Sequence, residues 1–406
     1  MFDLEQLSKL RFGMTAVPEV GGKPGDYEEK WSQWLLERSF FRDFVYRNPP
    51  VKKGQELADA VVLFDDVALM VQVKTQCGKH DPISWATEKL LEAFGQLCKT
   101  RDNLACGHIK MLKNDFYGDI AFDPKRYPNR FGLIILAHNS DPYIAAKLAP
   151  EILTAGFPVH VFSLQDFAMI ASRFDTAGDL ITFLELRTDI ALKIQLFVQD
   201  EIGNMTRMFP HVKETYETHM SSTTPEILKK MTRSFEEAAT GKLMESEDWK
   251  YSLCIDDMIA HVHDIDPGLA WNKDKANNHG SMEVARFLGW VTRNRRIRLG
   301  KRIMAECEAA RNGQIHYFPH VQPSRGTVCV YFVSSLGRSE RVDALRFLVD
   351  YAHMKYGVKQ SLGIATEPIG NGRSYDFVVR QGEMAQEFVK HLKTLDDPFS
   401  SEMPLF

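Results

Sequence analysis

The stretch GQELADAVVLFDDVALMVQVKTQ, residues 54–76, constrains the fold more than any other part of the sequence. Residues 59–64 and 67–75 are rich in Val, Leu, Phe and Met, and the polar pair Asp65 and Asp66 separates them. Apolar runs of strand length around a two-residue polar turn are typical of a β-hairpin. The sequence therefore predicts two antiparallel strands joined at this turn.

Three polar side chains share one face of the predicted hairpin. Counting outward from the turn pairs Phe64 with Val67 and places Asp59 opposite Gln72. Because side chains alternate along a strand, Lys74 lies on the same face as Gln72. The rest of both faces is apolar, so helices or further strands should cover the sheet. A buried charge is costly unless it is paired, bound to metal or used in chemistry, and an ion pair between Asp59 and Lys74 is the simplest alternative.

The order of these residues resembles a known nuclease motif. Asp59, a hairpin and then Gln72, Val73 and Lys74 are similar to the PD-(D/E)XK nuclease superfamily, in the Mrr-like variant that has Gln before x-Lys. The resemblance implies that Asp59, Gln72 and the backbone carbonyl of Val73 bind Mg²⁺ or Mn²⁺. It also implies that Lys74 orients and activates the attacking water.

The residue types suit that chemistry. Mg²⁺ takes oxygen ligands and keeps several waters, so one carboxylate with an amide or carbonyl oxygen can hold it. A bound cation lowers the pKa of its water, and a nearby ammonium stabilises the resulting hydroxide. Gln72 replaces the commoner acidic residue, which removes one negative charge and leaves a catalytically degenerate site as the alternative.

Two glutamates are candidates for the acid that position 72 lacks. Glu37 lies on the apolar edge of a predicted amphipathic helix over residues 27–41, and members of the superfamily often place a Glu from the first helix beside the metal. A regular strand would put Glu56 on the opposite face from Asp59, so Glu56 reaches the site only if the strand begins late or bulges. A solvated helix Glu is the alternative for Glu37.

The next predicted helix, residues 87–104, contributes one further candidate. Gln96 is predicted to approach the substrate phosphates, as a helical Gln does in several branches of the superfamily. The alternative is an exposed Gln without a role.

The segments that follow predict a parallel continuation of the sheet. Residues 131–138 and 157–164 are continuous apolar runs, and residues 142–156 between them have a helical pattern. A strand, helix, strand order favours parallel strands buried on both faces. The resemblance therefore implies an α/β fold, with a restriction-endonuclease-like α/β/α core and a mixed sheet in residues 1–204. We place the boundary where the apolar rhythm is lost, within residues 203–226.

Residues 205–406 predict a second domain of the α+β class. Helices are expected at 226–244, at 251–262 and as one long helix at 281–313, followed by a ββαββα order between residues 314 and 392. In the run RNRRIRLGKR, helical spacing places Arg295, Arg298 and Arg302 on one face, which suits contact with phosphates. The alternative is a solvated face paired with acidic neighbours. We expect this domain to serve recognition, regulation or oligomerisation.

Composition limits the classes of partner. The formal net charge is −4, so any contact with nucleic acid must come from a local patch. No apolar run approaches the roughly 18 residues of a membrane helix, and the N-terminus lacks the pattern of a signal peptide, so we expect a cytoplasmic protein and no membrane partner. The six Cys show no CxxC spacing, which indicates neither a zinc site nor a disulfide framework.

These observations predict a Mg²⁺-dependent endonuclease that hydrolyses the phosphodiester bonds of nucleic acid, with DNA favoured over RNA. The resemblance implies a role in restriction or antiviral defence, with a second copy of the chain or a defence-system protein as a further partner. The competing hypothesis is a degenerate nuclease fold that binds nucleic acid or acts as a scaffold.

Overall fold

The computed structural model describes residues 25–52, 55–77, 81–114, 118–137, 156–194, 196, 200–219, 224–264, 275–322, 325–368 and 374–400. These residues form two compact units. The first unit contains described residues up to 247 and residues 289–293, and the second contains residues 248–288 and 294–400. No helix in the described ranges is long and apolar enough to cross a membrane.

The first unit is built on a mixed five-stranded sheet with the order β1-β4-β5-β8-β9. Two short antiparallel hairpins, β2 with β3 and β6 with β7, lie outside this sheet. The strands of the unit are β1 Val45–Arg47, β2 Pro50–Lys52, β3 Gln55–Glu56, β4 Ala60–Phe64, β5 Val67–Thr75, β6 Met111–Asn114, β7 Gly118–Ala121, β8 Asn129–Ala137 and β9 Val159–Ser163.

The predicted hairpin is confirmed in its register. β4 and β5 are antiparallel, and Phe64 pairs with Val67 at the turn. Asp65 in the turn has a φ of 56°, a left-handed conformation that Asp tolerates better than most residues. β5 and β8 are parallel, as are β8 and β9, which confirms the predicted parallel continuation. The helix predicted at residues 142–156 lies outside the described residues.

Helices cover both faces of the sheet and give the unit three layers. α2 packs on the face that carries Leu63 and Met70, whereas α1 packs on the opposite face, where Phe40 contacts Phe64. The α/β class predicted from the sequence is confirmed. The helices are α1 Asp26–Phe40, α2 Pro82–Ala105, α3 Leu164–Arg173, α4 Ala177–Ala191, α5 Glu201–His219, α6 Pro225–Ala239 and α7 Lys242–Glu245.

The structure divides the chain at 247/248, whereas we predicted a boundary at 204/205. Most of residues 203–226, where we placed the boundary, belong to α5, a helix of 19 residues. Its buried side chains recur every three or four positions, but Thr, Glu and a central Pro dilute the pattern: Met205, Met208, Val212 and Tyr216. The apolar rhythm was therefore present but weak.

Residues 289–293 return to the first unit and close its apolar face. The Trp290 ring lies 5.6 Å from the Phe64 ring, and its Nε1 donates to Asp65 Oδ2 at 3.0 Å. A β-carbon at Gly178 would lie 2.6 Å from the Trp290 carbonyl oxygen, so only glycine permits this approach. The buried Arg293 guanidinium binds Asp175, with Nε 3.0 Å from Oδ1.

The same segment explains why the long helix predicted at 281–313 is wrong. Two helices occupy the region, α9 Lys275–Trp290 and α10 Arg293–Ala309. The backbone N–H of Arg293 donates to Asp179 Oδ2 at 2.7 Å instead of continuing the preceding helix. A carboxylate that is distant in sequence therefore caps the second helix, which no local pattern could reveal.

The second unit contains the predicted ββαββα order. Its four strands, in the sheet order β10-β11-β12-β13, are β10 His316–Gln322, β11 Thr327–Val333, β12 Gln360–Thr366 and β13 Tyr375–Gln381. β11 and β12 are parallel, and α11 connects them. Besides α10, its helices are α8 Leu253–Asp264, most of α9, α11 Arg338–Tyr356 and α12 Gln386–Leu392.

Candidate functional site

Asp59 lies immediately before β4, where the hairpin opens. Its backbone N–H donates to the Val71 carbonyl at 3.2 Å, and its Oδ2 accepts the Val73 N–H at 2.6 Å. Burial raises the pKa of the Asp59 carboxyl, and Glu56 adds to the rise, while the Val73 N–H and the Lys74 charge oppose it. Lys74 and Glu56 are thus electrostatic neighbours of Asp59.

Val73 and Gln72 complete the sequence-predicted set at this end of β5. The N–H and C=O of a strand residue point to the same side, so the Val73 carbonyl faces the side on which its N–H meets Asp59. The outermost pair of the hairpin is Ala60 with Val71, and the next position along β5, Gln72, is buried with 4% exposure. The structure therefore brings Asp59, Gln72 and the Val73 carbonyl to one end of the hairpin.

The helix carboxylate beside Asp59 is Glu29, whereas we predicted Glu37. Glu37 is buried against Arg47, whose Nε donates to Glu37 Oε1 at 2.6 Å. Burial raises the pKa of Glu29, and the charges of Asp59 and Glu56 add to the rise, while a hydrogen bond with the Asn48 side chain opposes it. The two residues lie on one face of α1, two turns apart, and the Glu37 carboxylate binds Arg47.

Gln33 and Asn48 hold this part of α1 against Asp59. Gln33 Nε2 donates to Asn48 Oδ1 at 2.8 Å and to the Asp59 carbonyl at 2.9 Å. Asn48 has a φ of 41°, and its backbone N–H donates to the same carbonyl at 3.1 Å. Sequence reasoning missed both residues, although Gln33 is spaced by four from Glu29 and shares its face.

Glu56 satisfies the condition on which its candidacy depended. β3 ends at Glu56 and β4 begins at Ala60, so residues 57–59 do not continue a regular strand. The exposed Glu56 carboxylate lies near enough to raise the pKa of both Asp59 and Glu29. Asp59, Glu29 and Glu56 thus lie within electrostatic range of one another.

Lys74 points its ammonium towards α2. Its Nζ lies 2.9 Å from Glu92 Oε1, and the second oxygen, Oε2, accepts a hydrogen bond from Lys89 Nζ at 2.7 Å. The Lys74 side chain is 15% exposed, and the Glu92 side chain is 41% exposed. One helix carboxylate thus binds two ammonium groups.

Gln96 lies one turn after Glu92 on the same face of α2. The next residue on that face, Thr100, donates its hydroxyl to the Leu57 carbonyl and to the Gln96 carbonyl. Gln96 Oε1 is buried, and no hydrogen-bond partner for it occurs in the described part of the chain. Gln96, the predicted phosphate-binding residue, therefore lies on the same face of α2 as Glu92, which binds Lys74.

A cleft of about 350 Å³ opens where β5 ends and α2 begins. Thr75 and Cys77 line it from the strand side, and Ser84 and Trp85 line it from the helix. Because Thr75 directly follows Lys74, the cleft adjoins the candidate site.

The carboxylates of the site do not converge on a single point. In the ranges given above, no three His, Cys, Asp or Glu side chains lie close enough together to hold a metal ion. The predicted ligand set differs from such a cluster because it combines one carboxylate, Asp59, with the amide of Gln72 and the carbonyl of Val73. Of the two carboxylate oxygens of Asp59, only Oδ2 accepts a hydrogen bond from the described residues.

The three arginines predicted to share one helix face in the second unit, Arg295, Arg298 and Arg302, differ in exposure and contacts. Arg298 is exposed and Arg295 is half-buried. Arg302 donates its Nε to Glu306 at 3.3 Å, and its guanidinium lies 4.1 Å from the centre of the Phe318 ring. Arg302 therefore pairs with an acidic neighbour and packs on the sheet.

Comparison of the chain with protein-family models, with curated proteins and with solved structures finds no match.

Proposed function

We propose that the first unit is a metal-dependent nuclease of the PD-(D/E)XK type that hydrolyses phosphodiester bonds, with DNA favoured over RNA as the substrate. The observation that carries the proposal is the grouping of Asp59, Gln72 and Lys74 at the open end of one hairpin. The restriction or antiviral role and the partner protein expected from the resemblance belong to the same proposal.

The topology supports this proposal independently of the side chains. A helix precedes three antiparallel strands, β1, β4 and β5, and α2 then leads to the parallel strands β8 and β9. The resemblance implies an α/β/α core with a mixed sheet of this kind. Asp59 lies just before β4, and Lys74 lies near the end of β5.

The donor set fits a hard divalent cation. Asp59, the Gln72 amide and the Val73 carbonyl would supply oxygen ligands, with Glu29 or Glu56 as the added carboxylate. A bound Mg²⁺ or Mn²⁺ would lower the pKa of a water and neutralise charge on the phosphate. Lys74 then donates a hydrogen bond to the attacking oxygen and stabilises its negative charge.

A degenerate nuclease fold that binds nucleic acid is the second candidate. It is favoured by Gln72, which supplies no charge, and by the separation of the carboxylates described above. In this alternative, Lys74 and Gln96 contact phosphates without hydrolysis.

Cleavage assays separate the two candidates. We expect the wild-type protein to cut at least one substrate among plasmid, linear duplex, single-stranded DNA and RNA when Mg²⁺ or Mn²⁺ is present, and to cut none with a chelator. Lys74→Ala should abolish cleavage while binding persists, since the ammonium acts on the transition state. Binding without cleavage by the wild type, under every metal condition, would favour the degenerate fold.

A further inference from the structure

The Lys74 ammonium has a carboxylate partner that the nuclease motif does not assign. Glu92 Oε1 lies 2.9 Å from Lys74 Nζ, which is the distance of a charge-assisted hydrogen bond. Lys74 has an ordered place at the rim of the sheet because this contact ties the long side chain to α2. An ammonium has three N–H groups, so the bond to Glu92 leaves two of them for other acceptors.

The Glu92 carboxylate is itself held in position. Its second oxygen, Oε2, accepts from Lys89 Nζ at 2.7 Å, and Lys89 Nζ also lies 3.3 Å from Glu88 Oε1. The Lys89 and Lys74 contacts lower the pKa of Glu92, so this carboxyl is ionised throughout the neutral range. Because separate oxygens serve the two lysines, neither contact needs to break for the other to form.

We propose that Glu92 is a positioning residue that orients Lys74 towards the phosphodiester attacked at the Asp59 end of the hairpin. The inference rests on the proposed function, because it assigns Glu92 a role in that reaction. Glu92 touches neither the substrate nor the metal ligands; it acts through Lys74. A flexible lysine without such a partner would sample many rotamers, and only a fraction of them would place Nζ near the attacking oxygen.

The magnitude of the effect follows from the exposure of the pair. At 41% exposure, solvent screens the Glu92 charge, so the contact is weaker than a buried ion pair. We therefore expect Glu92→Gln to lower kcat by about three- to tenfold. The KM should stay within about twofold, since the proposed role of Glu92 acts through Lys74 and needs no contact with the nucleic acid.

The test compares Glu92→Gln with Asp102→Asn. Asp102 lies on the same helix, is 60% exposed and pairs with Arg101, so its replacement removes the same charge from α2 without touching Lys74. One readout needs no activity: acylation of Lys74 by an N-hydroxysuccinimide ester, followed by mass spectrometry. A lysine released from its carboxylate should react faster, so we expect Lys74 to label several times faster in Glu92→Gln than in the wild type or Asp102→Asn.

The second readout is metal-dependent cleavage by the same proteins. Faster labelling together with a lower kcat and a constant KM supports the inference. Equal labelling of Lys74 in all three proteins overturns it. If the wild type cleaves and Lys74→Ala does not, but Glu92→Gln has the wild-type kcat, the proposed function stands and the positioning role fails. If the wild type cleaves no substrate although labelling differs, the proposed function fails, and the positioning role of Glu92 in that reaction fails too.

Discussion

Replacing Asp59 in two ways should separate cation binding from folding. Asp59→Ala removes the acceptor of the 2.6 Å bond from the Val73 N–H, and a buried donor without a partner costs about 1–3 kcal/mol. Asp59→Asn keeps an oxygen acceptor and removes the charge. At about 2–4 °C per kcal/mol for a unit of this size, Asp59→Ala should lower the Tm by about 2–12 °C relative to Asp59→Asn.

The sign of the charge effect follows from the raised pKa of Asp59. A carboxyl whose pKa is higher in the folded state contributes stability that is present at low pH and is lost as the pH rises through that pKa. Asn carries no such cost. Without metal at neutral pH, Asp59→Asn should therefore be at least as stable as the wild type.

Mn²⁺ should reverse that order. A cation at one hundred times its Kd stabilises the folded state by about 2.7 kcal/mol, which corresponds to a rise in Tm of about 5–11 °C. We expect this rise in the wild type and in neither Asp59 variant. Thermal unfolding followed by fluorescence during a Mn²⁺ titration measures it.

Asp66→Asn is the matched control, because Asp66 lies at the other end of the same hairpin, where it binds the Asn129 side chain. This variant should respond to Mn²⁺ as the wild type does. A full Mn²⁺ shift in Asp59→Asn would place the cation elsewhere and refute the ligand assignment.

Three further predictions concern neighbouring groups. Glu29→Gln should weaken Mn²⁺ binding, whereas Glu37→Gln should lower the Tm and leave Mn²⁺ affinity unchanged, because Glu37 is committed to an arginine; paired thermal titrations decide this. Gln72→Glu adds a carboxylate ligand and should raise Mn²⁺ affinity by about tenfold. This gain should fade on acidification, because protons compete with the cation for the carboxylates and the pKa of the neighbouring Asp59 is raised. In nucleic-acid binding assays at several salt concentrations, Arg298→Glu should reduce the slope of log affinity against log salt by about one, and an unchanged slope would show that the side chain is not involved. Arg302→Glu should also lower the Tm, because the Arg302 guanidinium lies over an aromatic ring.

The hairpin and the ββαββα order were predictable because their signals are local. Alternating or continuous apolar runs with clear turns define β4, β5 and the strands of the second unit, and the helix within the predicted ββαββα order is α11. Counting residues outward from the turn gave the register of the hairpin as far as the pair of Ala60 with Val71.

The remaining features depend on contacts between distant segments. Glu29 and Glu37 share a face of α1, and only the Arg47 partner and the bend at Asn48 determine which of them lies by Asp59. The break before α10 depends on Asp179, which caps a helix more than a hundred residues later in the chain. The contact between Lys74 and Glu92 likewise needs the packing of α2 on the sheet.

The return of residues 289–293 to the first unit bears on how the protein folds during synthesis. The five strands of the sheet are complete once Ser163 has left the ribosome, yet Phe64 and Asp65 acquire their contacts with Trp290 only after most of the chain has been made. The buried guanidinium of Arg293 likewise reaches Asp175 late. A nascent chain that has emerged only as far as residue 247 therefore lacks the partners that cover the Phe64 ring and the Asp175 carboxylate in the folded protein. The first unit therefore acquires its complete set of contacts only after residue 293 has been translated.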